Sequence, residues 1–183
     1  RVASLVTIGS PLRWDSIHPL LKIPFRSPRV VGLVRVSGVR RLARAVFPLL
    51  LKAPRLLSVY VNADNVDPQT TDELVRTIDD PHPRLNQDIA RWFRTRDLIL
   101  RGVNVTQALR TVDVPLLVVL ANRDGIVPPE SALSVLDAWG STDLEILNVG
   151  DERKWFAHAD LFIAPGAPKM VFEPIARFFA ARD

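Results

Sequence analysis

The chain has 183 residues, of which 48% are apolar and 24% charged, with 24 Lys plus Arg against 20 Asp plus Glu. These are ordinary globular values at a length that can bury a real core in one domain, or in a large piece of one, and they exclude a mainly disordered chain. The absence of cysteine excludes a disulfide framework, a zinc–thiolate site and a thiol nucleophile within these residues. No apolar run approaches the ~18 residues of a membrane-spanning helix, and segment 1–13 lacks the layout of a secretory signal, so a cytoplasmic location is expected. A start on Arg1 rather than Met fits an excised or truncated chain.

Val2 to Ile8 is a short β-prone run ended by Gly9-Ser10-Pro11, the signature of a buried strand. The net charge of +4 arises just downstream. Between Ser16 and Ala63 stand nine basic residues and no acidic one, which leaves 15 basic against 20 acidic residues elsewhere. The basic stretch is also apolar and punctuated by Pro24, Pro28, Pro48 and Pro54, and it reads as short helices broken near those positions.

From Pro68 to Gly102 the pattern is helical. Thr70 or Thr71 can cap one helix through residues 72–80, and Pro81-His82-Pro83 separates it from a second. In the second, Leu85, Ile89, Trp92 and Phe93 share one face. Val114 to Leu120 is the clearest element, a continuous apolar run suited to a strand buried on both faces of a parallel sheet. A loop, 121–128, leads into a helix opened by Pro129 and running to Gly140. Leu144 to Val149 is another strand, stopped by Gly150-Asp151. An amphipathic helix, Val171 to Ala181, closes the chain with Val171, Ile175, Phe178 and Phe179 toward the core. Strands alternating with helices predict an α/β fold with a mostly parallel sheet. Trp14, Trp92, Trp139 and Trp155 read as packing residues.

In open parallel sheets, functional groups gather in loops beyond the carboxyl ends of the strands. Two such loops each carry a competent side chain: Asp124 after the 114–120 strand, and His158 after the 144–149 strand. A carboxylate that accepts the imidazole Nδ1–H leaves Nε2 free to take a proton from a nucleophile, so the pair is two-thirds of a nucleophile–His–acid triad. Taken singly, Asp124 before Gly125 is an Asx-turn residue, and His158 beside Trp155 and Phe156 is a structural histidine. Asp151 and Asp160 are nearby alternatives for the acid and read better as caps of turns or of the following helix. His18 and His82, each flanked by proline, read as surface or loop residues.

The segments VPLLVVLANRDGIVPPESA, LEILNVG and FAHADLF, followed by the closing helix, resemble the C-terminal portion of an α/β-hydrolase. In that superfamily the acid stands in a D-x-[IV]-[VP]-P-like loop after the seventh strand, matching Asp124 to Pro128. The histidine follows the last strand, matching His158-Ala159-Asp160. The opening RVASLVTIGSP resembles the sixth strand. The resemblance implies a partial core of three strands from 1–11 and 101–183, with 12–100 as a helical cap or lid insertion. Residues 97–117 are also similar to the lipase-like and polyhydroxyalkanoate-synthase-like branches. On this reading the parent is a serine-type hydrolase of ester or related acyl substrates, with Asp124 and His158 as acid and base and no metal or organic cofactor. A small-molecule substrate with a hydrophobic part is the expected partner.

One departure bears on activity. None of the nine serines has Gly two positions before it, so the G-x-S-x-G elbow is missing. Ser10 is followed by Pro11, which removes an amide that an oxyanion hole would use. The nucleophile and oxyanion hole are therefore expected upstream, and these residues alone are expected to be inactive. Alternatives are an acyltransferase of polyhydroxyalkanoate-synthase type and a non-catalytic binding module on the same fold. The basic stretch lacks aromatic interleaving and any recognised motif for nucleic acid. It reads best as cap helices with arginines in solvent, which can also contact a membrane surface.

Overall fold

A computed structural model describes residues 2–22, 25, 27–29, 38–51, 53–66, 75–76, 79–80 and 82–182. In chain order the elements are β1 (Leu5–Ile8), α1 (Pro19–Lys22), α2 (Val39–Leu51), α3 (Pro54–Leu57), α4 (Pro83–Thr95), β2 (Ile99–Leu100), β3 (Val103–Asn104), α5 (Val105–Ala108), β4 (Leu116–Ala121), α6 (Pro129–Leu133), β5 (Leu144–Val149), α7 (Asp160–Ile163) and α8 (Glu173–Ala180). Strands β1, β4 and β5 form a parallel sheet with β4 in the middle. The pairing of Leu5 with Leu116 and of Leu116 with Leu144 sets the register.

All six residues of β4 are buried, as its unbroken apolar sequence predicts. Side chains alternate across a strand, so its two faces feed two cores. Leu116, Val118 and Leu120 pack with Trp14, Val127, Val135 and Trp139. Leu117, Val119 and Ala121 pack with Phe156, Leu161, Val171 and Phe178. Burying each such leucine or valine stabilises the fold by about 1.5–3 kcal/mol. β5 is an outer strand with much of its length exposed, and Arg182 from the chain's end ties down its Glu145 at 2.7 Å and Asp143 at 2.8 Å.

Several local expectations shift. The expected break at Pro48 is not observed: α2 runs through it. One backbone hydrogen bond is lost there, because the proline nitrogen carries no hydrogen, while burial of the adjacent Phe47 holds the turn in place. Pro54 does open a new helix, and Pro24 lies outside the described residues. Most of the helix expected over residues 72–80 also lies outside them. The helix after Pro129 is only five residues long, followed by a 3-10 turn over Leu136–Ala138. It is anchored by side chains: Ser134 Oγ accepts the amides of Leu12 and Arg13, and Ser131 Oγ exchanges hydrogen bonds with the backbone of Ser16. The closing helix starts as a π-helical turn, Pro168–Phe172, before α8. Phe179, expected toward the core, is exposed, and so is Leu85 at the edge of its apolar face. Trp14 and Trp139 are buried.

Residues 58–62, between α3 and a 3-10 turn (Ala63–Asn65), lie as a strap against the loops that follow β4 and β5. Val61 is fully buried, in a third cluster with Phe47, Leu57 and Ala159. The strap meets a carboxylate: Asp160, fully buried, accepts the amides of Asn62 at 2.8 Å and Ala157 at 2.7 Å through Oδ2. The sequence predicts Asp160 as a cap of a turn or of the following helix, and it makes no cap bond to α7. It instead accepts from the preceding loop and from the strap.

Burial raises the Asp160 carboxyl above its ordinary range, against the opposing pull of the two amides and of the neighbouring Asn65 side chain. A folded-state pKa raised in this way favours the fold at low pH, and that contribution is lost as pH rises through the folded value. Asp160→Asn should therefore remove a falling component from the stability–pH profile, so that Tm of the variant gains on the parent as pH rises above about 4. A constant Tm difference across that range would contradict it. Leu117→Ala should cost about 2–5 kcal/mol in chemical denaturation, whereas Ile146→Ala on the exposed side of β5 should change stability by no more than about 0.5 kcal/mol.

Candidate active site

The parallel pairing of β4 with β5 brings Ala121 opposite Val149, so both following loops leave the sheet at the same edge. The two residues singled out from those loops meet there. His158 Nδ1 stands 2.8 Å from Asp124 Oδ2, across 34 residues of sequence. The Asp124 side chain is 1% exposed and the imidazole 24% exposed. A carboxylate only accepts, so the shared hydrogen belongs to Nδ1, and in the neutral imidazole Nε2 then carries the lone pair.

The turn role and the partner role of Asp124 coexist. Its Oδ1 accepts the amides of Ile126 at 2.8 Å and Val127 at 2.7 Å, closing an Asx turn. Its Oδ2 is thereby aimed at the histidine. The loop chemistry that makes Asp common before Gly is the same chemistry that immobilises the carboxylate.

The histidine is held from three sides. Gly9, at the end of β1, backs the ring so closely that a Cβ there would lie 3.2 Å from Cε1 and 3.3 Å from Nδ1. Its φ of +51° independently favours glycine. The next amide, Ala159 N–H, donates to the Tyr60 carbonyl at 2.8 Å. The Tyr60 ring itself lies 6.5 Å from the imidazole, centroid to centroid, and partial burial raises its phenol above the usual range.

Asn122 couples the two loops. Its Oδ1 accepts Phe156 N–H at 2.9 Å, its Nδ2 donates to the Asp151 carbonyl at 3.0 Å, and Arg123 N–H donates to the Phe156 carbonyl at 3.0 Å. Neither Asn122 nor Asn62 stood out in the sequence. Asn122 had one signal, a polar residue where a fully buried strand ends. Asn62 caps the 3-10 turn locally, its Oδ1 accepting Asp64 N–H at 3.1 Å, but its partners in the histidine loop lie more than 90 residues away. Asp151 does cap a turn, accepting the amides of Arg153 and Lys154. It lies in solvent, and the bonds from Lys154 and Arg153 hold its carboxyl below the usual range. His18 and His82 take the loop roles expected, with Nδ1 accepting from the amides two residues ahead.

The serines near the site are committed elsewhere. Ser10 Oγ donates to the Ile8 carbonyl at 3.2 Å, and Ser58 Oγ donates to the Arg55 carbonyl at 2.8 Å. Beside Tyr60 runs an apolar groove of about 370 Å³ formed by α2 and α3, with Val46, Phe47, Leu50 and Leu57 in its walls. Among the described residues no group of three His, Asp or Glu side chains is placed to hold a metal ion, and no helix is long and apolar enough to cross a membrane. What the site can do chemically is accept a proton at Nε2 and stabilise the resulting imidazolium through Asp124.

No family model matches the sequence, and no curated protein matches it. Solved structures do. The chain is similar over 100% of its length to Rv0554 from Mycobacterium tuberculosis, at 18% identity and a TM-score of 0.58, covering 58% of that protein. A thermophilic esterase from Thermogutta terrifontis matches over 99% of the chain at 20% identity and a TM-score of 0.56, with 57% of the esterase covered. A meta-cleavage product hydrolase from Pseudomonas fluorescens matches over the full chain at 14% identity and a TM-score of 0.55, again with 57% covered. The chain thus spans well under two thirds of the structures it resembles. Likeness at this identity speaks for the fold alone. The chain has the α/β-hydrolase fold and spans a C-terminal portion of it.

Proposed function

We propose that Asp124 and His158 are the acid and base of a nucleophile–His–acid triad in a hydrolase of ester or related acyl substrates. The observation that carries this reading is the 2.8 Å contact between a buried carboxylate and a part-exposed imidazole, each on a loop beyond the carboxyl end of adjacent parallel strands. The fold shared with an esterase and a hydrolase supports it.

In this reading the nucleophilic hydroxyl and the oxyanion donors come from outside these 183 residues. His158 Nε2 takes the hydroxyl proton as the oxygen attacks the acyl carbon. Asp124 stays ionised, holds the tautomer and stabilises the imidazolium. Nε2–H then protonates the leaving alcohol, and a water activated by the same nitrogen hydrolyses the acyl intermediate. The groove along α2 and α3, lined by Val46, Phe47, Leu50 and Tyr60, offers a place for an apolar acyl or alkyl portion close to the histidine. Residues 12–100, which contain those helices, act as the cap over the core formed by 1–11 and 101–183.

In the full-length protein, His158→Ala should lower kcat/KM on a p-nitrophenyl ester by roughly 10³–10⁶-fold. Asp124→Asn should lower it by about 10⁴-fold, because an amide can hold the wrong tautomer. Turnover unchanged in His158→Ala would sink the assignment.

A further inference from the structure

The strap at residues 58–62 makes hydrogen bonds to both loops of the candidate dyad. Its Val59 carbonyl accepts Gly125 N–H at 3.2 Å, from the residue next to Asp124. Its Tyr60 carbonyl accepts Ala159 N–H at 2.8 Å, from the residue next to His158. Beyond these, Asn62 donates twice to the histidine loop, through its amide to Asp160 Oδ2 at 2.8 Å and through Nδ2 to the Trp155 carbonyl at 3.1 Å. The same Asp160 oxygen accepts Ala157 N–H at 2.7 Å, from the residue on the other side of His158. His158 is therefore flanked by two anchored amides.

The approach on the acid side is as close. A Cβ on Gly125 would lie 2.7 Å from both Cα and the carbonyl oxygen of Val59, so only glycine allows the strap to sit there. The buried Val61 side chain, between these contacts, packs with Ala159 and keeps the strap from lifting as a flexible lid would. The separation of two loops that belong to different strands is thus fixed by one short segment of a third region of the chain.

We propose that Asp160 and Asn62 are positioning residues, which set the Nδ1–Oδ2 contact of His158 and Asp124 by locking residues 58–62 across both loops. The proposal rests on the triad reading above. Asp160 serves as a hydrogen-bond acceptor for two amides, a task that needs an oxygen and not a negative charge. Its burial, which raises its pKa, agrees with that. Neither residue touches the reacting atoms. Their effect should appear in kcat, since small misplacements of a catalytic group cost rate by as much as about 10²-fold.

The test uses the full-length protein with Asp160→Ala, Asp160→Asn, Asn62→Ala and, as a reference, Asp124→Asn. Two quantities are read: kcat and KM on a p-nitrophenyl ester, and the far-downfield proton resonance of the His158 Nδ1–H hydrogen-bonded to Asp124. Asp160→Ala should lower kcat by about 10–10²-fold with KM little changed, and should shift or broaden the resonance. Asp160→Asn should restore both, because its amide oxygen can accept the same two N–H groups. If Asp160→Ala fails to fold, Asn62→Ala, which removes the Nδ2 bond to Trp155 and the Oδ1 bond from Asp64 N–H and leaves the backbone bond to Asp160, carries the test, with a smaller change in the same two readouts. A resonance and kcat unmoved by Asp160→Ala, or by Asn62→Ala where the first does not fold, would overturn the proposal while Asp124→Asn still abolishes both. Loss in Asp160→Asn equal to that in Asp160→Ala would likewise overturn it. If Asp124→Asn also leaves kcat and the resonance unchanged, the triad reading itself fails.

Discussion

The pairing of β4 with β5 is the constraint on which the candidate site depends. Parallel strands in one sheet present the same ends on the same side, and the register that sets Ala121 opposite Val149 fixes where both loops begin. Asp124 comes three residues after the first strand, and His158 nine after the second. The longer second loop must be folded back to bring its histidine home. Asn122 and Asp160 do this with hydrogen bonds, and Phe156 and Leu161 do it by full burial.

The energetic character of the site follows from that arrangement. Two carboxylates, Asp124 and Asp160, are almost entirely removed from solvent, which is costly unless their oxygens find donors. Asp124 is met by two backbone amides and the imidazole; Asp160 takes two amides on Oδ2, while its buried Oδ1 has no hydrogen-bond partner among the described residues. Polar groups buried in this way favour one loop geometry, because moving either loop would cost these carboxylates the donors they have. The dyad is therefore part of a larger network that reaches the strap and the end of β1. Gly125 and Gly150 mark its two tightest points: a Cβ would lie 2.7 Å from the Val59 backbone at the first and still closer to Asn122 Oδ1 at the second.

Much of this was legible in the sequence, for local physical reasons. An unbroken apolar run such as 114–120 has few solutions other than a doubly buried strand, and the parallel sheet and the meeting of Asp124 with His158 follow from it. The α/β-hydrolase fold was legible through motif order. Element ends were less so. Pro48 reads as a helix break but is overridden by the burial of Phe47, and Phe179 fits a helical face yet points to solvent. The supporting roles of Asn62 and Asp160 were not legible. Asn62 and Asp160 act through partners up to 98 residues away, and a cap and a long-range acceptor use the same residue types. Nothing in a single sequence separates those two uses.

The central claim is that His158 Nε2 activates a nucleophilic oxygen. It is tested most directly by reacting the full-length protein with a fluorophosphonate and following adduct formation by mass spectrometry. The account predicts one phosphonylated serine in the parent protein and a rate of labelling that collapses in His158→Ala. Labelling of that serine at an undiminished rate in His158→Ala would contradict it.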